Sequence, residues 1–270
     1  MNLNYFDIHS HLNLTPLLEN KDEIINTMRQ SGMGTITVGV DYDTSKLAVD
    51  FANENPDILW ATVGQHPNDN PDEAFDYDKY LELAKNDKVV AIGECGLDYF
   101  RLKGSEDEKQ IEIKRQKELF IKHINLSKEV NKPLMIHARP HANSMDAYVD
   151  AIRILEEENF TGHANFHFFV GDTEIAKIIV EKGWTMSFDG PITFVSDYDD
   201  VIKSIPLQNI MAETDAPFAS PVPYRGQTNY PQYVEFIYKK IAEIKGLDPQ
   251  IVQNTILNNI KRVFGISIDE

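Results

Sequence analysis

The chain has a single cysteine, Cys95, in 270 residues. One thiol excludes an intrachain disulfide framework. No apolar run approaches the roughly 18 residues that a membrane span needs, so no membrane association is expected. Residues 1–13 carry neither a basic stretch nor an apolar core of the secretory kind, and a cytoplasmic location is the expectation. Positive charge is scarce as well: 26 Lys+Arg stand against 43 Asp+Glu, a formal net charge of -17. That balance excludes the broad basic surface with which proteins track duplex phosphates. A polyanionic substrate would have to be held at one locally positive point, and a metal ion supplies such a point. There is no P-loop, no serine nucleophile elbow and no dinucleotide fingerprint; Gly32, Gly34, Gly93 and Gly96 are too sparse to cradle one.

What the sequence does have is apolar material, 42% of it, enough for a sizeable core and against disorder. Short β-branched runs alternate with longer amphipathic stretches. Strands are expected at residues 5–9, 35–40, 59–63, 89–93, 134–137, 164–168, 185–188 and 210–213. Their nearly continuous apolar character suits parallel strands buried on both faces. Helices are expected at 22–30, 44–53, 107–130, 145–158, 172–181, 230–245 and 249–264. Asp72 with Glu73, and Asp172 with Glu174, read as helix starts; Gly162 and Gly183 read as stops. Eight strands alternating with helices predict a (β/α)8 TIM barrel of the α/β class, one domain over residues 1–270.

Five of the 8 His fall at or after the ends of these strands. His9 and His11 follow the first, His66 the third, His137 ends the fifth, and His167 lies near the end of the sixth. Glu94 follows the fourth strand and Asp215 the eighth. In a barrel these ends converge on one rim, where active sites are built. Residues two apart on an extended segment face the same side, so His9 and His11 can reach one ion. Imidazole suits Zn, Mn, Fe, Ni or Co, and carboxylates broaden the choice toward Mg and Mn. Taken singly, each residue has an ordinary reading as a packing or capping group. Together they supply enough donors for two divalent ions sharing a bridging carboxylate. His66 is divided between a substrate contact and a turn residue. His123 and His163 read as structural, Cys95 as packing, and His141 as a weaker substrate-contact candidate. Arg101, Arg139 and Arg225, in loops at this rim, are candidates for binding phosphate; Tyr99 and Phe100 can stack on a base.

These motifs resemble the TatD family of metal-dependent deoxyribonucleases, among the amidohydrolase-like barrels. The resemblance spans nearly the whole chain. It rests on Phe6-Asp7-Ile8-His9-Ser10-His11, on Gly64-Gln65-His66-Pro67, on Gly93-Glu94-Cys95-Gly96-Leu97-Asp98-Tyr99-Phe100-Arg101 and on Ile136-His137-Ala138-Arg139. Glu213-Thr214-Asp215-Ala216-Pro217-Phe218 with the following Ser220-Pro221-Val222-Pro223-Tyr224-Arg225-Gly226 completes it. One segment departs: after His167, Phe168 and Val170 stand at positions that are small or polar in the family's usual pattern.

The resemblance implies that His9, His11 and Asp215 hold one ion, His137 and His167 the other, and Glu94 bridges them, with His66 near the scissile phosphate. Mg2+ or Mn2+ is the expected cation, with Zn2+ also compatible. The implied activity is hydrolysis of ester bonds in DNA, as a 3'-5' exonuclease acting on DNA ends or short single-stranded oligonucleotides. Glu94 and Asp215 are the implied catalytic residues, Asp215 handling the attacking water. No obligate protein partner is evident. Two other readings fit the same residues: a small-molecule metallohydrolase or aminoacyl-tRNA ester hydrolase, and a metal-stabilised binding protein without catalysis.

Overall fold

The computed structural model describes residues 3–68 and 74–267. Eight strands, β1 (Tyr5–Ser10), β2 (Met33–Val38), β3 (Leu59–Val63), β4 (Val89–Asp98), β5 (Leu134–Arg139), β6 (Ala164–Phe166), β7 (Thr185–Phe188) and β8 (Ile210–Ala212), form one parallel sheet in sequence order. Helices α1 (Lys21–Ser31), α2 (Tyr42–Glu54), α3 (Tyr77–Ala84), α4 (Glu106–Val130), α5 (Asp146–Glu157), α6 (Thr173–Glu181), α7 (Asp199–Ser204) and α8 (Val234–Lys245) alternate with the strands, and α9 (Pro249–Phe264) follows. This is the expected (β/α)8 barrel. Strands and the inner helix faces bury a largely apolar core, with Phe6, Ile8, Phe120, Phe166 and Tyr148 inaccessible to solvent, while strand residues such as Thr35, Thr62, Asn165 and Ser187 add buried polar groups. α4 starts on a reciprocal cap between Ser105 and Glu108, and α2 on one between Asp41 and Thr44.

The seam between first and last strands is short and lies at the C-terminal rim. Beyond β8, the Asp215 N–H donates to the His9 carbonyl (2.9 Å) and the His11 N–H to the Ala216 carbonyl (2.7 Å). The buried Asp7 carboxylate ties the same seam from inside, accepting from Thr214 N–H (2.9 Å) and Thr214 Oγ1 (2.6 Å).

The departures from the sequence expectation are local. α3 and α7 have no counterpart in it, because eight and six residues are too few to display a clear helical period. α8 starts at Val234 rather than residue 230, since Pro231 opens a separate 3-10 turn, Pro231–Tyr233. β2 starts at Met33, because Gly32 (φ 63°) caps α1 in the left-handed region and turns the chain straight into the strand. Gly183 and Asp172 cap α6 as expected, the latter accepting from Ile175 N–H. Gly162, however, does not stop α5. That helix ends at Glu157, and Asn159, at φ 52°, turns the chain so that the Phe160 N–H donates back to the Leu155 carbonyl (2.9 Å). Asp72 and Glu73 lie outside the described residues.

Two irregularities aim the site. The pairing of β1 shifts between Asp7 and Ser10, around His9, and that of β4 between Ile92 and Cys95, around Glu94. Such shifts re-aim the side chains they carry. Gly93 (φ 152°), inside the second, permits it, since a Cβ there would lie within van der Waals overlap of the Met135 carbonyl oxygen; at Gly96 (φ 133°), just beyond, a Cβ would lie 2.1 Å from the His137 carbonyl oxygen.

Candidate metal centre

His9, His11, His66, Glu94, His137, His167 and Asp215 meet at the C-terminal rim. Glu94, at the re-aimed point of β4, is at the middle, and its two oxygens face different partners. Oε2 lies 3.4 Å from His9 Nε2 and 3.8 Å from His11 Nε2. Oε1 lies 3.0 Å from His137 Nδ1, 2.8 Å from His167 Nε2 and 3.5 Å from His66 Nε2. Asp215 Oδ1 joins the first set, 3.3 Å from His11 Nε2 and 3.6 Å from His9 Nε2. The sets touch where the His9 and His167 rings stack with centroids 4.0 Å apart. Three overlapping trios of ligand atoms, His9–His11–Glu94, His66–Glu94–His137 and His9–His167–Asp215, each fall within 4.8 Å.

The outer faces of the rings decide what the inner faces offer. His11 Nδ1–H donates to the Val38 carbonyl (3.1 Å). His137 Nε2–H donates to Asp98 Oδ2 (3.2 Å), and His167 Nδ1 faces Glu213 Oε1 at 3.5 Å. With the protons placed outward, Nε2 of His11, Nδ1 of His137 and Nε2 of His167 turn lone pairs inward. There they meet other lone pairs: His9 Nε2 is 3.2 Å from His11 Nε2, and His137 Nδ1 is 3.2 Å from His167 Nε2. A divalent cation satisfies such a set, so the donors fit the metal that their chemistry implies. Burial alone would raise the Glu94 carboxyl, yet His167, His66 and His137 hold it well below its usual range. Burial would lower His167, and Glu94 and Glu213 instead push it well above.

His66 is drawn fully into the cluster, its ring 4.5 Å from that of His137 and its Nδ1 accepting from Asn68 N–H. The arginines are not. Arg101 pairs with Asp98 (3.6 Å), Arg139 lies 4.3 Å over the Phe100 ring, and Arg225 lies 4.2 Å over Phe194. Tyr99 is buried with its hydroxyl on Asp150, so it cannot stack on a base; Phe100 is 54% exposed and can. His141 is bound to the Asp146 carboxylate (2.6 Å). His123 is structural as expected, accepting from Gln65 N–H and donating to the Leu119 carbonyl. Cys95 is buried beside Met135.

Sequence reasoning gave no role to the carboxylates behind the rings. Asp98 and Glu213 are inaccessible to solvent. Glu213 also accepts from Ser187 Oγ (2.6 Å) and from the N–H of Phe168, a bulky residue held at φ 46°. Asp189, after β7, is buried too, and burial with the Glu213 and Asp215 charges raises it well above the usual carboxylate range. Asp98 ends β4, Glu213 follows β8 and Asp189 follows β7, positions where a lone carboxylate in the sequence reads equally well as a cap or turn residue.

A parallel barrel gathering five imidazoles and two carboxylates at its C-terminal rim is the architecture of a metal-dependent hydrolase. The family profile described as TatD related DNase matches residues 6–265, and the chain belongs to that family. It is 36% identical over 267 residues to the uncharacterized metal-dependent hydrolase YabD of Bacillus subtilis, covering 97% of this chain and 99% of that protein. Among solved structures, it resembles YjjV, a TatD homologue of Escherichia coli (TM-score 0.84, 25% identity, 99% and 100% of the two chains). A TatD family hydrolase of Entamoeba histolytica shares the fold (TM-score 0.82, 22% identity, 98% and 99%).

Proposed function

We propose that the protein is a DNA exonuclease of 3'-5' polarity that hydrolyses phosphodiester bonds with two divalent ions, Mg2+ or Mn2+. The observation that carries this reading is the division of Glu94, one oxygen toward His9 and His11, which Asp215 joins, and the other toward His137 and His167. These six residues would hold the ions. When bound, the ions supply Lewis-acid polarisation of the phosphoryl group and lower the pKa of the attacking water.

The remaining work belongs to the chain. Asp215 has the more open of the two carboxylates, its side chain 14% exposed against 6% for Glu94. It orients the attacking water and accepts its proton. Asp98 and Glu213 keep His137 and His167 turned inward. Phe218, 53% exposed, stands with its ring 6.1 Å from that of His11 and offers a face to the terminal base. Phe100 with Arg139 offers a second face, and Arg101 and Arg225 offer charge to flanking phosphates. With a net charge of -17, the substrate is a chain end or a short single strand rather than tracked duplex.

The test is digestion of 5'-labelled single-stranded DNA by metal-reconstituted protein, across a panel of cations. A descending ladder that EDTA stops, and that Glu94→Gln and Asp215→Asn abolish, supports the reading. Immediate release of labelled mononucleotide reverses the polarity. Turnover of ester or lactone substrates with none of DNA overturns it in favour of a small-molecule hydrolase.

A further inference from the structure

The opposite rim of the barrel carries a second concavity, far from the histidines in the direction of the strands. A cleft of about 820 Å³ opens at the N-terminal ends of β3 to β6, between the C-terminal ends of α4 and α9. That volume lies within the range of small-molecule sites. Lys128, Lys132, His163 and Arg262 line it, with Asp87 as the acidic member and Trp60 as part of the wall.

Four basic side chains converging on one cleft are unexpected in so acidic a chain. The C-terminal ends of two helices favour a cation each, which accounts for Lys128 and Arg262 separately. It does not account for their convergence with Lys132 and His163. Their bonds are mostly to neutral groups. Arg262 Nη2 donates to the Gln208 carbonyl (2.6 Å), and Lys132 Nζ to the carbonyls of Ala84 (2.5 Å) and Asn86 (2.8 Å). Lys128 Nζ donates to the Glu158 carbonyl and lies 3.6 Å from its carboxylate. Among the described residues, neither Arg262 nor Lys132 has a carboxylate within ion-pairing distance. Burial lowers the pKa of both, and burial and then Arg262 lower that of His163. These cations give most of their hydrogen bonds to neutral carbonyls, with Asp87 beside Lys132 and Glu158 beside Lys128 as the acidic neighbours, so the cleft keeps an excess of positive charge that an anion can use.

We propose that this cleft is a second binding site, for a phosphate-bearing small anion held by Arg262, Lys132 and Lys128. Arg262 presents the planar fork that matches phosphate oxygens, and the lysines add point charge. The volume exceeds that of phosphate alone and leaves room for an organic portion against Trp60.

The test uses the full-length protein stripped of metal, titrated calorimetrically with inorganic phosphate, with 2'-deoxyadenosine 5'-monophosphate and with adenosine. Saturable binding of the monophosphate or of phosphate, but not of adenosine, is expected; the relative affinities of the first two show whether the organic portion is recognised. Arg262→Gln should weaken binding by roughly tenfold or more, the scale of a lost charge-assisted pair. Lys128→Gln, on a different helix and with one carboxylate contact, should weaken it in the same direction and guards against misfolding of the first variant. Neither should change hydrolysis at the other rim. Absence of binding, equal affinity for adenosine, or wild-type affinity in folded variants overturns the proposal. The readout is binding, so failure of the DNA assay would leave it standing.

Discussion

Replacing Asp98 by Asn keeps the shape of a buried side chain and removes its charge. Asp98 accepts from His137 Nε2 at 3.2 Å and from Arg101 N–H at 3.1 Å, and is inaccessible to solvent. Its carboxylate fixes the proton of His137 on Nε2 and leaves Nδ1 free toward Glu94. Asn can accept the same bond through its oxygen, but without the charge, or turn its amide group and favour the opposite tautomer. Carboxylates behind ligating histidines contribute on the order of 10–100-fold in metal affinity or activity, which is about 1.4–2.7 kcal/mol. Mn2+ affinity, measured by calorimetry on the metal-stripped protein, should fall by that factor. The thermal midpoint in EDTA serves as the control for folding. Because Asp98 acts through His137, the double variant Asp98→Asn/His137→Ala should bind metal no worse than His137→Ala alone. An Asp98→Asn protein with wild-type affinity, or additive losses in the double variant, would refute the reasoning.

Three further outcomes follow from other parts of the molecule. His123 is buried and neutral, its pKa lowered from 6.5 to about 4. Stability from this residue is complete above 6.5 and is lost as pH falls toward 4, because the unfolded chain takes the proton first; the full loss is about 3 kcal/mol. Urea midpoints between pH 7 and 4.5 should therefore slope less in His123→Gln, and an unchanged slope counts against this account. Gly96→Ala would set a Cβ 2.1 Å from the His137 carbonyl at φ 133°; a loss of more than about 3 kcal/mol by thermal or denaturant unfolding is expected, and a near-wild-type midpoint would contradict the packing described. Phe218→Ala should raise KM for oligonucleotides about tenfold, the scale of one lost base stack, and leave turnover of a small chromogenic phosphodiester unchanged; equal effects on both substrates would remove the stacking role.

The barrel and the cluster were legible because burial makes their signals coincide. Strands covered on both faces read as unbroken apolar runs, and a histidine or carboxylate ending such a run stands out. His9, His11, Glu94, His137, His167 and Asp215 were visible in this way, and the structure brings them together. The carboxylates behind the rings were not, since a lone Asp98 or Glu213 reads equally well as a cap or a turn residue. The pairing shifts around His9 and Glu94 were hidden as well, because they depend on where neighbouring strands sit. Asn159 replaced Gly162 as the end of α5 for a related reason: Asn also tolerates the left-handed region, and the sequence alone does not rank the two. The arginines stand outside the cluster, against Asp98, Phe100 and Phe194, a placement set by neighbouring loops that the sequence alone does not give.

The seam between the first and last strands has a temporal meaning. Asp7 and Thr214 are 207 residues apart in sequence, yet they close the barrel beside His9 and Asp215. A ribosome must therefore make nearly the whole chain before the two ends of the cluster can meet. No fragment that ends before Asp215 holds the complete donor set, so competence arrives only with closure. An ion held by both His9 and Asp215 would in turn act as a removable clasp across that span, holding together two residues far apart in sequence and penalising their separation.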